Sequence, residues 1–289
     1  MTAPILVTGA SGNVGSAVLR RLVDAGVPVR AGSLNRVDLP GAEYARLDFT
    51  DPATWTAYDG VEVMFLLRPP HLSKPDTQMA PSLDAARAAG VRHVVFLSLQ
   101  GADRNRVVPH AKLEAWLRGS GVAWTFLRPS FFMQNLTTTH RSDIRDRDEI
   151  LLPAGRGATA FVDVEDIADV AAVTLLDPAA HEGRAWTPTG PEALTYGEVA
   201  ARLTEVLGRP IRYRAASLPR YALHARAELG MPWAMVGVTS AIFSVARFGR
   251  AGGLTDDART VTGRAPRGFT EFARREAHAW ARPGEAAES

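Results

Sequence analysis

The chain of 289 residues contains no cysteine. Disulfides, thiolate nucleophiles and Cys-ligated metals are therefore excluded. Lysine is nearly absent too. Only Lys74 and Lys112 occur, and arginines spread along the chain carry almost all of the positive charge. There is no basic run, the formal net charge is only +2, and no helix-turn-helix pattern is visible, so nucleic acid is not an expected partner. No apolar run approaches the length of a membrane span, so no membrane association is expected. Met1–Ala3 opens no signal-peptide pattern, and the expected location is cytoplasmic. The seven histidines lack metal-ligand spacing, so no metal is expected. No serine sits in the Gly-x-Ser-x-Gly turn of an esterase nucleophile. Internal repeats are absent, and the one biased segment is the tail Pro283–Ser289, expected to fray.

What is present is ordinary in bulk. A 46% hydrophobic and 22% charged composition fits a globular protein, and the length allows one large domain with a smaller one attached. The pattern is more specific. Short apolar runs at Ile5–Val7, Val27–Ala31, Val61–Leu67, Val91–Leu97 and Val122–Leu127 alternate with helical stretches. The first such helix presents Val14, Val18, Leu22 and Val23; others are expected over Thr77–Ala89 and Lys112–Arg118. Short buried runs alternating with helices predict βαβ units and a parallel sheet. Gly26, Gly60, Gly90 and Gly121 each precede a strand run, where a helix end needs a left-handed residue. The expected fold is α/β: a Rossmann-type doubly wound parallel sheet over residues 1–150, with a smaller, mainly helical C-terminal substrate lobe over 151–289. The chain is allowed to cross back to the first domain around 158–190. In the later part, helices are expected over Asp163–Leu176, Tyr196–Leu207, most of Leu218–Phe248 with a break near Gly230 and Pro232, and Phe269–Trp280, with a short strand at Ile211–Tyr213.

The strongest motif follows the first strand and opens the first helix. In Gly9-Ala10-Ser11-Gly12-Asn13-Val14-Gly15, the spacing G-x-x-G-x-x-G falls in the context that a dinucleotide fingerprint requires. Gly9 would make the tight turn, Gly12 would let a pyrophosphate approach the backbone, and Gly15 would let helix and strand pack closely. The amides and dipole of the helix start would hold the phosphates. The other reading is a tight turn that binds nothing. About 20 residues further on, an acid would favour NAD. The chain instead has Ser33-Leu34-Asn35-Arg36, with no acid before Asp38. Ser33, Asn35 and Arg36 can donate to a 2′-phosphate, Arg36 in bidentate fashion, so NADP(H) is expected over NAD(H). The competing reading makes Arg36 a plain surface side chain.

The loop Thr8–Gly15 resembles that of the NmrA-like branch of the atypical short-chain dehydrogenase/reductases. Further matches are His110-Ala-Lys112-Leu-Glu114 with Ser120–Asn135, then Phe161–Ala168, and then Thr189–Thr195; together they run in family order over roughly residues 3 to 215. The last part resembles the family loosely, apart from Gly263–Pro266 and the helix after it. The resemblance implies a cofactor site reaching Asp48 and Phe49 beside the adenine, and Leu67 and Arg68 at the end of the fourth strand. It also implies Ser98 at the end of the fifth strand near the nicotinamide. Ser130, Phe131 and Phe132 after the sixth strand would line nicotinamide and substrate. Phe49, Phe131 and Phe132 can equally be core aromatics.

The wider superfamily uses a Tyr-x-x-x-Lys pair. None of Tyr44, Tyr58, Tyr196, Tyr213 and Tyr221 has lysine four residues later. A standard alcohol–ketone activity is therefore in doubt. The candidates left for catalysis are His110, Lys112 and Ser98. A histidine at the position of His110 is found in the quinone-reductase-like members of the branch. It would serve as a proton or hydrogen-bond donor or, alternatively, as a helix cap. Lys112 reads either as a contact to the cofactor ribose or as a solvated helix residue. Two functions follow. One is an NADPH-dependent reductase acting on a quinone or another small conjugated organic substrate, with Phe131, Phe132 and Trp233 lining the substrate. The other is a non-catalytic redox sensor of the NmrA type, which would need a protein partner. The sequence leaves the oligomeric state open.

Overall fold

In the computed structural model, residues 3–282 are described. The tail Pro283–Ser289, expected to fray, lies outside them. Residues 3–129 build β1 (Ile5–Thr8), α1 (Asn13–Asp24), β2 (Val29–Ser33), β3 (Ala42–Arg46), β4 (Val63–Leu67), α2 (Pro75–Gln78), α3 (Ala80–Ala88), β5 (His93–Leu97), α4 (Pro109–Gly119) and β6 (Ala123–Leu127). A second compact unit begins at Ser130 with β7 (Phe131–Phe132), α5 (Arg141–Arg147), β8 (Glu149–Leu152) and β9 (Ala158–Val162). The chain returns to the first unit for α6 (Val164–Leu176) and β10 (Ala185–Trp186). It then re-enters the second with β11 (Ala193–Thr195), α7 (Tyr196–Leu207), β12 (Arg212–Ala215), α8 (Leu218–Ala227) and α9 (Trp233–Arg247). Next come α10 (Asp257–Thr262) in the first unit and α11 (Phe269–Arg275) in the second.

The first unit is thus residues 1–129, 164–188 and 256–264, not 1–150. The segment 130–150 belongs to the second unit, whose buried cluster already includes Met133, Leu136, Ile144 and Ile150. The chain crosses back into the first unit at 164–188 and again at 256–264.

The seven strands of the first unit pair in the order β10-β6-β5-β4-β1-β2-β3, all parallel. Strand side chains alternate between the two faces. Leu6, Met64, Leu66, Val94, Phe96 and Phe126 fall on one face and form a single cluster with Leu83 of α3 and Leu113 and Leu117 of α4. α1 and α6 pack side by side, and α6 also packs on β4, β5 and β6. Arg21 of α1 clamps the helix pair, donating to Asp169 and Glu165 of α6, each at 2.6 Å. α6 is apolar on most of its circumference, as a helix enclosed by a sheet and other helices must be. Gly26, Gly60, Gly90 and Gly121 all take positive φ, as expected of residues that end a helix or turn before a strand. Residues 37–60, read without any element from the sequence, hold the edge strand β3 and a 3-10 turn, Pro52–Tyr58.

In the second unit, β11, β9 and β7 form one small sheet and β12 pairs with β8 in another. Around them lies an aromatic-rich core in which Phe161, Tyr196, Tyr221, Phe243, Phe269 and Trp280 are buried. The helix expected over Phe269–Trp280 stops at Arg275 and continues as a 3-10 turn, Ala277–Trp280. The stretch Thr77–Ala89 is likewise two helices, broken at Met79. Among the described residues no helix is long and apolar enough to cross a membrane.

Candidate functional site

The site is built on the C-terminal ends of the parallel strands of the first unit, where open α/β sheets bind ligands. At its centre is the turn from β1 to α1. Gly9 has φ +63°, and the side chain of Leu67 would lie 3.2 Å from a Cβ placed on it. A Cβ on Gly15 would overlap the Gly9 carbonyl oxygen, so the helix can approach the strand only with glycine there. The turn closes through Gly12 N–H to Gly9 C=O at 2.9 Å and is tied to β2 through Ala10 N–H to Gly32 C=O at 3.3 Å. The Thr8 hydroxyl accepts from the Leu67 amide at 2.8 Å, which locks the end of β1 to the end of β4.

The N-cap of α1 is Gly12, which has no side chain to offer the first-turn amides. α7 of the same chain, by contrast, carries a full capping box from Thr195 and Glu198. An uncapped helix start directly behind a glycine turn is a cradle for phosphate oxygens. The residues present therefore fit a dinucleotide: a backbone cradle where a pyrophosphate would rest, with no bulk in its way.

The residues after β2 are less free than their types imply. The Ser33 hydroxyl donates to the carbonyl of Asn35, and the Tyr44 hydroxyl reaches the carbonyls of Ser33 and Leu34 at 3.3 and 3.4 Å. Arg36 points into solvent with its Nε on Asp38 Oδ1 at 2.7 Å. Asp48 is turned inward on its own loop. Its carboxylate accepts from the Thr50 amide and hydroxyl at 2.8 and 2.7 Å, and these bonds hold it below the usual carboxylate range. Phe49 lies in the core of the first unit, with 6% of its surface exposed, so its ring is a packing element.

Two polar clusters stand at the ends of β4, β5 and β6. In the first, Arg68 donates through one Nη to the carbonyls of Pro69 and Leu72, both at 2.9 Å, and of Pro70 at 3.2 Å, while its Nε is buried without a hydrogen-bond partner among the described residues. His110, in the first turn of α4, stacks on Phe96 with ring centroids 6.0 Å apart. Burial, and then the positive charge of Arg68, push its imidazole down to about 4. Neither ring nitrogen is hydrogen-bonded among the described residues. His110 does not cap α4, whose N-cap is Val108.

The second cluster was missed as such in the sequence, although Glu114 and Arg128 both stand in its motifs. The Glu114 side chain is only 1% exposed. It takes Arg128 in a two-pronged pair at 2.9 and 2.6 Å, Arg118 at 3.1 Å, and the Ser98 hydroxyl at 2.6 Å. Burial pushes this carboxyl up, but the Arg128 and Ser98 hydrogen bonds outweigh it and the net shift is downward. Ser98, expected near the chemistry, is thereby buried and spent on holding Glu114. The signal that could have found this cluster is the pairing of an acid on a helix with an arginine ending a strand, but sequence spacing alone does not show that they meet. Lys112 is exposed on α4 and makes no side-chain bond among the described residues.

In the second unit, the Ser130 hydroxyl is buried without a hydrogen-bond partner among the described residues. Phe131 and Phe132 form β7, and Phe131 packs edge-on against Phe161 and tilted on Phe243, with centroids 5.7 and 5.8 Å away. Trp233, expected to line an apolar pocket, is 60% exposed at the first position of α9.

The model of the NmrA-like family matches residues 1–234. The chain belongs to the NmrA-like family. This NmrA-like protein is 36% identical over 290 residues to the NAD(P)H azoreductase of Xenophilus azovorans, covering 96% of this chain and 99% of that one. It is also 36% identical over 287 residues to a (4-alkanoyl-5-oxo-2,5-dihydrofuran-3-yl)methyl phosphate reductase of Streptomyces griseus, covering 96% and 99%. Among solved structures it is similar to an NADPH-dependent quinone oxidoreductase of Escherichia coli complexed with NADPH. That match has a TM-score of 0.80 and 25% identity, and covers 95% of this chain and 99% of that one.

Proposed function

We propose that this NmrA-like protein is an NAD(P)H-dependent reductase whose acceptor is a quinone or another small conjugated organic compound. The observation that carries the reading is the β1–α1 turn, with glycine obligatory at Gly15 and an uncapped helix start behind it. Named reductases of similar sequence along nearly the whole chain support it. The Gly9–Gly15 segment would hold the pyrophosphate, Arg36 the 2′ position of the adenosine ribose, and Leu67 the inner wall beside the turn. The bound cofactor supplies a hydride to the acceptor.

The protein's own part in the chemistry falls to His110. At neutral pH its imidazole is uncharged, because burial and the Arg68 charge hold it near 4. An uncharged imidazole donates a hydrogen bond well and a proton poorly. His110 therefore stabilises the oxygen that gains charge as hydride arrives, and solvent completes the protonation. This suits a quinone or enone better than a simple ketone, and it accords with the missing Tyr-x-x-x-Lys pair. Ser98 acts at one remove, through Glu114, by fixing α4 and hence His110. Lys112, exposed and unbonded, is available to a ribose hydroxyl. Phe131, Phe132 and Trp233 are the proposed substrate contacts, and their replacement by alanine is expected to raise KM.

A second reading draws on α9 and its C-cap, where Val238, Ile242 and Val245 of the helix and Phe248 just after it are exposed. It is a non-catalytic NADP(H)-binding regulator that uses this apolar face for a protein partner. Following nicotinamide absorbance with a panel of small quinones separates the two. Turnover that falls at least tenfold in His110→Ala supports the reductase. Tight cofactor binding with no turnover on any quinone supports the regulator.

A further inference from the structure

The segment that would recognise the 2′ position carries its own competitor. The turn after β2 is anchored. Ser33 bonds the Asn35 carbonyl, the Tyr44 hydroxyl holds the carbonyls of residues 33 and 34, and β3 pairs with β2 along its length. From this fixed base Arg36 and Asp38 project into water, their side chains 75% and 76% exposed, with Nε on the carboxylate at 2.7 Å. Ser33 keeps no free hydroxyl proton to give, since its donor is spent within the turn. The charged donor of this turn is Arg36, whose remaining N–H groups have no other partner among the described residues, with the exposed amide of Asn35 as a neutral donor beside it.

We infer that Asp38 is a specificity-determining residue that holds down the preference for a 2′-phosphorylated dinucleotide, so that the protein accepts both NADPH and NADH. The inference rests on the cofactor reading above. A phosphate that engages Arg36 must either displace the Asp38 carboxylate or sit within a few ångströms of it. Both cost affinity, the first by breaking the pair and the second by like-charge repulsion. NADH carries no 2′-phosphate and incurs neither cost. It leaves the Arg36–Asp38 pair intact and takes none of its binding from Arg36. The pair is solvent-exposed, so exchange is easy in both directions and the effect is one of ratio, not of all-or-none selection.

The test is calorimetric titration of the full-length protein with NADPH and NADH, for wild type, Asp38→Asn, Arg36→Ala and the double variant. Asp38→Asn is expected to tighten NADPH roughly threefold to tenfold at low salt, as removal of one exposed charge near a dianion should. Its effect on NADH should stay within about twofold, and the gain should shrink at high salt. Arg36→Ala should bring the two cofactors close to equal affinity, and in that background Asp38→Asn should gain little. Unchanged or weaker NADPH binding in Asp38→Asn would overturn the inference, since Asp38 would then be orienting Arg36 or doing nothing. A full gain that persists without Arg36 would overturn it as well. Wild-type protein that binds neither cofactor would instead remove the cofactor reading on which the inference stands.

Discussion

His110 and Glu114 of α4 are two titratable side chains whose protonation is shifted by their surroundings. His110 is held down to about 4 by burial and by Arg68. Its C2 proton, followed by NMR, is expected to titrate near pH 4, and activity should show no break near pH 6.5 from this group. A midpoint near 6.5 would return it to the role of a proton donor. Between its ordinary value of 6.5 and about 4, the unfolded chain binds a proton that the folded chain refuses, so stability falls as pH falls through that window. His140, fully buried in the second unit and also pushed to about 4 by burial, adds to the same trend. Glu114 loses stability lower on the pH scale. Its folded value is depressed, so its contribution is complete above the ordinary carboxylate range and disappears as pH falls through the lowered value. Glu114→Ala strands Arg128 beside it and is expected to cost about 3–5 kcal/mol by denaturant unfolding, as for other broken buried pairs. Ser98→Ala removes one neutral donor to the same carboxylate and should cost about 1–3 kcal/mol. Its kcat should fall only as far as α4 shifts.

At the scale of elements, the β1–α1 unit predicts opposite outcomes for two neighbouring glycines. A methyl group on Gly15 would overlap the Gly9 carbonyl, so Gly15→Ala must push helix from strand and should lose both stability and cofactor binding. A methyl group on Gly12 would meet the same oxygen at 3.4 Å, an ordinary contact, and its backbone is extended. Gly12→Ala is therefore expected to melt within a few degrees of wild type while losing dinucleotide affinity at least tenfold, checked by thermal unfolding and titration on the same sample. This unit was legible in the sequence because all of its signals are local: a strand run, three glycines at fixed spacing, and a helix with one apolar face. β3 was not, because Ala42–Arg46 alternates only weakly and carries two charges, as an edge strand should. The Glu114–Arg128–Ser98 cluster was hidden for a different reason. Glu114 of α4 lies 16 residues from Ser98 and 14 from Arg128, which directly follow β5 and β6, so the register of β5 beside β6 brings them together. Arg36 was readable as a donor, but its engagement by Asp38 was not.

For the whole molecule, the consequence of the interleaved chain is that residues 1–150 are not a folding unit. That fragment lacks α6, whose Ile167, Val170, Ala171 and Leu175 are buried in the first unit, and it lacks the two carboxylates that receive Arg21. It also ends inside the second unit. A fragment 1–150 is expected to lack cooperative unfolding and to bind an apolar-surface dye, whereas the full chain should unfold in a cooperative transition. The second crossing, at 256–264, was not legible in the sequence, because a six-residue helix that returns to an earlier unit looks locally like any other.

The proposed function requires the glycine turn of the first unit to hold a nicotinamide dinucleotide. Calorimetric titration of the folded wild-type protein with NADPH tests it most directly. Saturable binding at one site per chain, largely lost in Gly12→Ala, is expected. Folded protein that takes up neither NADPH nor NADH, or a Gly12→Ala variant that binds as tightly as wild type, would contradict it.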